Sequence, residues 1–233
     1  MVISGCKKDQ DKSISSNPFN DKTTAVFNTN LVYGTMTDQE GNIYKTITIG
    51  TQTWMAENLR TTKYRNGDSI PNITDNYAWP RLTSGAYCNY QHRNNPDSIA
   101  TYGRLYNAYA ASDIRNIAPE GWHVPTDEEF TVLTTFLGGG SVAGGKMKET
   151  GTSHWIIQNE GATNESGFTA LPAGYRAHSD EIFTDLHFAS SYWSNTLIET
   201  DFAANHLLYN YSDDCVSSTY YMWGGFSIRL IKD

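Results

Sequence analysis

The chain has 233 residues and a formal net charge of −8, and only 18% of its residues are charged. The lysines and arginines are scattered, so we predict no basic surface that binds the phosphate backbone of a nucleic acid. No apolar run approaches the roughly 20 residues that a membrane-spanning helix needs. We therefore expect any contact with a membrane to be made through a lipid anchor.

The first 30 residues are predicted to be an anchor followed by a tether. Ile3-Ser4-Gly5-Cys6 resembles the end of a bacterial lipoprotein signal, in which small residues precede a cysteine that becomes lipidated. The polar residues that follow suit a disordered tether. We predict lipidation at Cys6, residence in the cell envelope as an outer-membrane or surface lipoprotein, and one folded domain over residues 31–233. A frayed N-terminus with a chance cysteine is the alternative.

Most elements predicted along the domain are short. Residues 31–37 and 43–49 form a hairpin around the turn at 38–42, because apolar and polar residues alternate and the turn contains Gly and Asn. Residues 51–84 show no clear period and are predicted to be an ordered loop region. Further along the chain we predict a strand at 85–90 and a helix at 102–111. Four more strands are predicted at 191–196, 205–211, 216–222 and 225–232.

The best-defined helix begins after Pro125. Thr126 and Glu129 have the spacing of a capping box, in which each side chain accepts a hydrogen bond from the other residue's backbone N–H. Phe130, Leu133 and Leu137 recur with the helical period, and glycines 138–140 stop the helix. Short strands at both ends, two helices and long loops predict an α+β domain whose terminal strands pair.

Gly140, Gly145 and Lys146 have the spacing of a phosphate-binding loop, but Met147 stands where such a loop needs Ser or Thr. We interpret this stretch as a helix cap and a flexible loop. The six histidines are dispersed without the spacing of a zinc site, and no Gly-x-Ser-x-Gly nucleophile motif occurs. We therefore predict neither a catalytic residue nor a tightly bound cofactor, and a non-catalytic protein.

Two groups of polar residues have oxygen ligands that suit calcium. The first contains Asn164 and Glu165, and the second contains Asn195 with Asp213 and Asp214. The same residue types also serve ordinary turns, so both interpretations stay open.

Cys88 and Cys215 allow either a disulfide or two separately buried thiols. Their distance in sequence leaves the geometry of a disulfide undetermined.

Ten short motifs follow one another along the chain, at 54–59, 64–68, 85–88, 102–107, 119–129, 144–151, 161–168, 171–176, 192–194 and 225–229. In content and order they resemble the Fibrobacter succinogenes major paralogous domain over about residues 33–233. Members of that family are typically exported lipoproteins of the Bacteroidetes and Fibrobacteres group, which fits Cys6. The family often has cysteines where this chain has Ala118 and Leu230, so the resemblance implies that these two residues lie close together.

The motif at 122–130 and the closing Gly225-Phe226-Ser227-Ile228-Arg229 are also distantly similar to signatures of formylglycine-generating enzymes. That similarity implies a C-type lectin-like fold with two helices, antiparallel β-hairpins, long ordered loops and paired termini. It does not transfer a function.

Together these observations predict a lipid-anchored binding or adhesion module for an extracellular glycan or protein. The candidate ligand contacts are Trp193, Asn195, Asn164 and Glu165, and Trp79, Trp155 and Trp223 are further aromatic residues that could stack on sugars. The alternatives are an oxidase of the formylglycine-generating type and a structural subunit of a surface assembly.

Overall fold

Twelve strands and four α-helices make up the part of the chain described by a computed structural model, residues 17–179 and 183–233. In chain order they are β1 (Gly34–Thr37), β2 (Ile43–Ile49), β3 (Gln52–Met55), β4 (Tyr87–Cys88), α1 (Pro96–Tyr102), β5 (Leu105–Tyr106), α2 (Ala108–Ala111), β6 (Trp122–His123), α3 (Asp127–Phe136), α4 (Gly140–Met147), β7 (Ala173–Arg176), β8 (Phe183–Leu186), β9 (Ala189–Glu199), β10 (Phe202–Tyr209), β11 (Cys215–Tyr221) and β12 (Ile231–Lys232). The named strands pair in antiparallel sheets, so the domain is α+β with mostly β structure.

The last strand joins the first sheet. That sheet has the order β1-β2-β3-β12-β6, and Ile231 of β12 pairs with Trp54 on one side and His123 on the other. The first and last strands thus share one sheet, but the predicted direct pairing is wrong, because β2 and β3 lie between β1 and β12. The predicted hairpin is confirmed as β1 and β2, although β1 begins at Gly34.

The last predicted strand, 225–232, is regular only in β12. Before it, single bridges join Gly225, Phe226 and Ser227 to three different elements, namely β7, β5 and β9. Because each residue has a neighbour from another element, no continuous ladder forms. The predicted alternation still holds, since Phe226, Ile228 and Leu230 enter one core cluster while Ile231 enters the other. Ala118 and Leu230 belong to the same core cluster, and their direct contact stays a prediction.

Helix α3 confirms the predicted capping box. The Thr126 hydroxyl accepts from the Glu129 N–H at 3.2 Å, and the Glu129 carboxylate accepts from the Thr126 N–H at 2.8 Å. Phe130 and Leu133 are buried on the face that packs into the core.

We expect Thr126→Ala to lower the free energy of unfolding by about 1 kcal/mol, because the Glu129 N–H in the first turn loses the hydroxyl that accepts its hydrogen bond. Urea unfolding measures the change. Thr135→Ala is the control, since Thr135 is exposed on the same helix. Equal stability of the two variants would contradict a capping role.

Two predictions between residues 102 and 147 are wrong in part. Residues 140–147 form α4 instead of a flexible loop. Gly144 faces the start of β11, and a Cβ at this position would lie 2.1 Å from the Asp214 carbonyl oxygen. Glycine here permits close packing of α4 on the start of β11, so it does not indicate flexibility. The single helix predicted at 102–111 is instead α1 and α2, separated by β5.

The predicted tether is also corrected for residues 17–30. Thr24 Oγ1 lies 2.9 Å from His154 Nε2, and the Val26 N–H donates to the Glu149 carboxylate at 2.5 Å. Asn28 donates from its side chain to the Asn164 carbonyl at 3.0 Å. Buried polar groups of the domain thus hold this segment against it. Residues 1–16, with the predicted lipidation site Cys6, lie outside the described residues.

Candidate functional site

The six tryptophans separate into core residues and one surface residue. Five are buried, and Trp193 is 0% exposed, with its Nε1–H donating to the Tyr106 carbonyl at 2.8 Å. The prediction of Trp193 as a ligand contact is therefore wrong, because its ring fills the space beside Phe226. Trp79 and Trp155 are excluded for the same reason. Trp223 is half-buried and keeps surface that a ligand can reach.

Trp223 belongs to a group of contacting rings that we name the aromatic cluster. Its members are all half-buried. The central ring is that of Tyr221, at the end of β11. Its centroid lies 4.4 to 5.0 Å from the ring centroids of His178, Phe202 and Trp223, and Tyr220 completes the group.

Strand pairing and backbone hydrogen bonds fix the aromatic cluster. Phe202 and Tyr221 are directly paired across β10 and β11. The Trp223 carbonyl accepts from the indole N–H of Trp79 at 2.6 Å, so the buried Trp79 positions the half-buried Trp223. A Cβ at Gly224 would lie 2.6 Å from the Tyr220 ring, which explains the glycine there. The rings are thus held in place before any ligand arrives.

Polar groups border these rings. The Tyr220 hydroxyl lies 3.0 Å from His178 Nδ1. Glu199, the last residue of β9, and Asp201, in the turn that leads into β10, are exposed. The Met222 N–H donates to the Asp201 carbonyl at 2.8 Å, which fixes that turn beside the cluster. Flat apolar ring faces next to hydroxyl, imidazole and carboxylate groups can stack on a ligand and hydrogen-bond its edges.

The second predicted calcium group does not assemble. Asp213 and Asp214 directly precede Cys215 of β11. Leu208 of β10 pairs with Cys215 on one side and with Ser190 of β9 on the other, so the two aspartates lie near the level of Ser190. Asn195 is five residues further along β9, a distance of about 16 Å along the strand. Throughout residues 17–179 and 183–233, no group of three or more His, Cys, Asp or Glu side chains is placed to hold a metal ion. The calcium prediction is therefore corrected here.

The two residues of the first predicted calcium group lie in different environments, Asn164 in the core and Glu165 on the surface. Asn164 is buried, and its amide oxygen accepts from the Thr169 N–H at 3.0 Å while its amide donates to the Thr169 hydroxyl at 3.0 Å. Asn164 thus stabilises a turn. Glu165 is exposed, lies 2.9 Å from Lys146 Nζ and borders a groove of about 320 Å³. Its role as a ligand contact stays a prediction.

The family model described as the Fibrobacter succinogenes major domain matches residues 47–232. The chain belongs to this family. The match includes every residue of the aromatic cluster and begins within β2. A comparison with curated proteins and a comparison with solved structures each found no match.

The cysteines of this Fibrobacter succinogenes major domain are two separate thiols. Cys88 and Cys215 are free and buried, and they belong to different core clusters. The disulfide considered from the sequence is therefore wrong. Burial raises the pKa of each thiol to about 12, so both are protonated at neutral pH.

None of the helices in the described part of this family member is long and apolar enough to cross a membrane. The sequence did not identify His178, Phe202, Tyr220 or Tyr221 as site residues. The available signal was the dense run of aromatic residues at 220–223, immediately before the closing motif.

Proposed function

We propose that this domain is a lipid-anchored binding or adhesion module of the cell surface, and that the aromatic cluster binds an extracellular glycan. The observation that carries the proposal is the half-buried Trp223 stacked beside Tyr221, with ring centroids 5.0 Å apart. Large amphipathic rings that are already held in place gain contact area at a low entropic cost. The bordering carboxylates of Glu199 and Asp201 are acceptors for sugar hydroxyl groups.

The location at the cell surface rests on the sequence and on family membership. Ile3-Ser4-Gly5-Cys6 supports lipidation at Cys6, and the family typically contains exported lipoproteins. We also propose a C-type lectin-like arrangement for the fold. The support is the position of β12 between β3 and β6, which brings the two ends of the domain together.

A glycan array probed with the full chain tests the binding proposal. We expect saturable binding to one class of host or plant glycan, and calorimetry then gives the affinity for the best ligand. Trp223→Ala should weaken that affinity by about tenfold or more, because a stacked ring is lost. Tyr77→Ala is the matched control, since Tyr77 is an exposed aromatic residue outside the cluster.

A blank array would contradict the glycan proposal, as would unchanged affinity in Trp223→Ala. Matrix proteins printed on the same array test the alternative that the ligand is a protein. Binding to such a protein alone would keep a binding module but replace its ligand class.

The same structure argues against proposing the oxidase of the formylglycine-generating type. That alternative relies on cysteine chemistry, whereas both described thiols are buried and protonated. The structural-subunit alternative is decided by light scattering, because a stable monomer would contradict it.

A further inference from the structure

A cavity of about 280 Å³ lies between the start of the described chain and the body of the domain. We name it the Arg104 cavity. Its walls carry two arginines, one carboxylate, an amide, a hydroxyl and an aromatic ring, contributed by Arg60, Arg104, Glu40, Asn42, Thr62 and Phe19. It lies apart from the aromatic cluster, whose residues do not line it.

Arg104 is the principal charged group of this cavity. It is 7% exposed, and no carboxylate of the described residues forms an ion pair with it. Its Nε donates to the Arg60 carbonyl at 2.8 Å, and Nη1 donates to the Asn89 side chain. Nη2 has no acceptor among residues 17–179 and 183–233. The ring centroids of Tyr87 and Phe19 lie 4.8 and 5.7 Å from Cζ and stabilise this charge in part, while Nη2 stays free to donate to an anionic acceptor.

Arg60 provides a second guanidinium that is almost fully buried. Its Nη1 lies 3.5 Å from the Glu57 carboxylate and its Nη2 donates to the Ile43 carbonyl at 2.6 Å. The Nε atom is buried and has no acceptor in the described structure. Arg60 thus has a carboxylate partner in Glu57, whereas Arg104 has none among the described residues.

Glu40 places one negative charge on another wall. Its carboxylate accepts from the Thr61 and Thr62 hydroxyls at 2.9 and 2.7 Å, and from the Thr62 N–H. These bonds fix the carboxylate: Oε2 accepts two of them, whereas Oε1 accepts one and retains acceptor capacity. Because Glu40 and Arg104 do not pair with each other, the cavity has an acceptor wall and a cationic wall with space between them.

We propose that the Arg104 cavity binds a small carboxylate that also carries a hydrogen-bond donor. The carboxylate pairs with Nη2 of Arg104, in the charge-assisted geometry that guanidinium groups favour. The donor, a hydroxyl or an ammonium group, binds Glu40. The volume admits a molecule the size of one sugar acid or one amino acid, and the Phe19 ring supplies an apolar wall.

Calorimetry on the full chain tests this site with four probes. Sodium D-glucuronate carries hydroxyl donors, glycine carries an ammonium donor, and D-glucose and sodium chloride lack one of the two features. We expect saturable binding of glucuronate or glycine and none of glucose or chloride. The preferred probe identifies the donor. Absence of binding by both carboxylates up to about 10 mM would overturn the proposal.

Arg104→Lys is the main variant, and it should weaken binding by about tenfold because the single nitrogen of lysine cannot bond the Arg60 carbonyl and Asn89 and also reach the position of Nη2. Arg115→Lys is the matched control, since Arg115 already pairs with Asp68 and Asp113. Unchanged affinity in Arg104→Lys would overturn the proposal. If that variant does not fold, Glu40→Gln and a crystal structure with glucuronate decide, because density away from Arg104 contradicts the site.

Trp223→Ala should leave this binding unchanged. The two proposals are therefore tested independently. Loss of glycan binding in Trp223→Ala does not contradict carboxylate binding in the Arg104 cavity, and neither does a blank glycan array.

Discussion

Arg229→Met is expected to lower the free energy of unfolding by about 4 kcal/mol. Arg229 is fully buried, and its guanidinium donates to the Asn58 side chain at 2.6 Å and to backbone carbonyls at 2.7 to 3.0 Å. Those carbonyls belong to Met55, Phe168 and Thr169. Methionine fills much of the volume but leaves four acceptors without donors inside the core, and each unpaired buried group costs about 1–3 kcal/mol before relaxation.

Urea unfolding measures the effect, and Arg229→Lys separates charge from geometry. A lysine keeps the charge but offers one nitrogen in place of three, so we expect an intermediate loss of stability. Arg93→Met is the control, because Arg93 is exposed. A loss below about 1 kcal/mol in Arg229→Met would show that water or rearrangement satisfies the four acceptors.

The local parts of this fold were predictable. The capping box of α3 depends on residues three positions apart, and the hairpin of β1 and β2 depends on alternation beside one turn. Both signals are contained in fewer than about twenty residues, where spacing alone determines which groups meet.

The role of Arg229 was not predictable at that level. The sequence placed it in the predicted strand 225–232, whose regular part is only β12, and its acceptors come from residues 55, 58, 168 and 169. Lys148 follows the same logic, because its buried ammonium donates to carbonyls of Glu160, Tyr209 and Ser212. Such partners are brought together by the tertiary fold, and composition or period does not identify them.

The candidate site illustrates the same division. Trp193 lies within a predicted strand and Trp223 directly follows one, and neither pattern indicates which of the two reaches the surface. Trp193 is buried because the Tyr106 carbonyl and the Phe226 ring meet it from another part of the chain. Trp223 remains accessible because it lies in the turn after β11. Exposure of an aromatic residue is thus a property of its distant neighbours.

His206 provides the second large expected effect: stability should fall as the pH drops from about 6.5 to about 4. His206 lies on β10, 3% exposed, with its ring stacked on Phe130 at 4.0 Å between ring centroids. Burial lowers the pKa of His206 to about 4, although the Asp127 carboxylate 2.9 Å from Nε2 opposes the shift. The contact with Asp127 is therefore not an ion pair at neutral pH.

The direction of this effect follows from proton binding. Between pH 6.5 and 4 the unfolded chain binds a proton at His206 that the folded protein does not, so acid favours unfolding. Above pH 6.5 neither state is protonated and the contribution is constant. The full difference is on the order of 3 kcal/mol, since one pKa unit corresponds to about 1.4 kcal/mol.

Urea unfolding at several pH values between 4 and 7 measures this loss, and the difference between the wild type and His206→Asn isolates it from the titration of carboxylates. We expect a flatter profile in His206→Asn, whatever that variant loses in stability at pH 7. His178→Asn is the control, since His178 is half-buried in the aromatic cluster and should keep the steep acid limb. Parallel profiles for the wild type and His206→Asn would mean that His206 accepts a proton in the folded state, so that Asp127 holds an imidazolium at the start of α3 and the contact there is an ion pair after all.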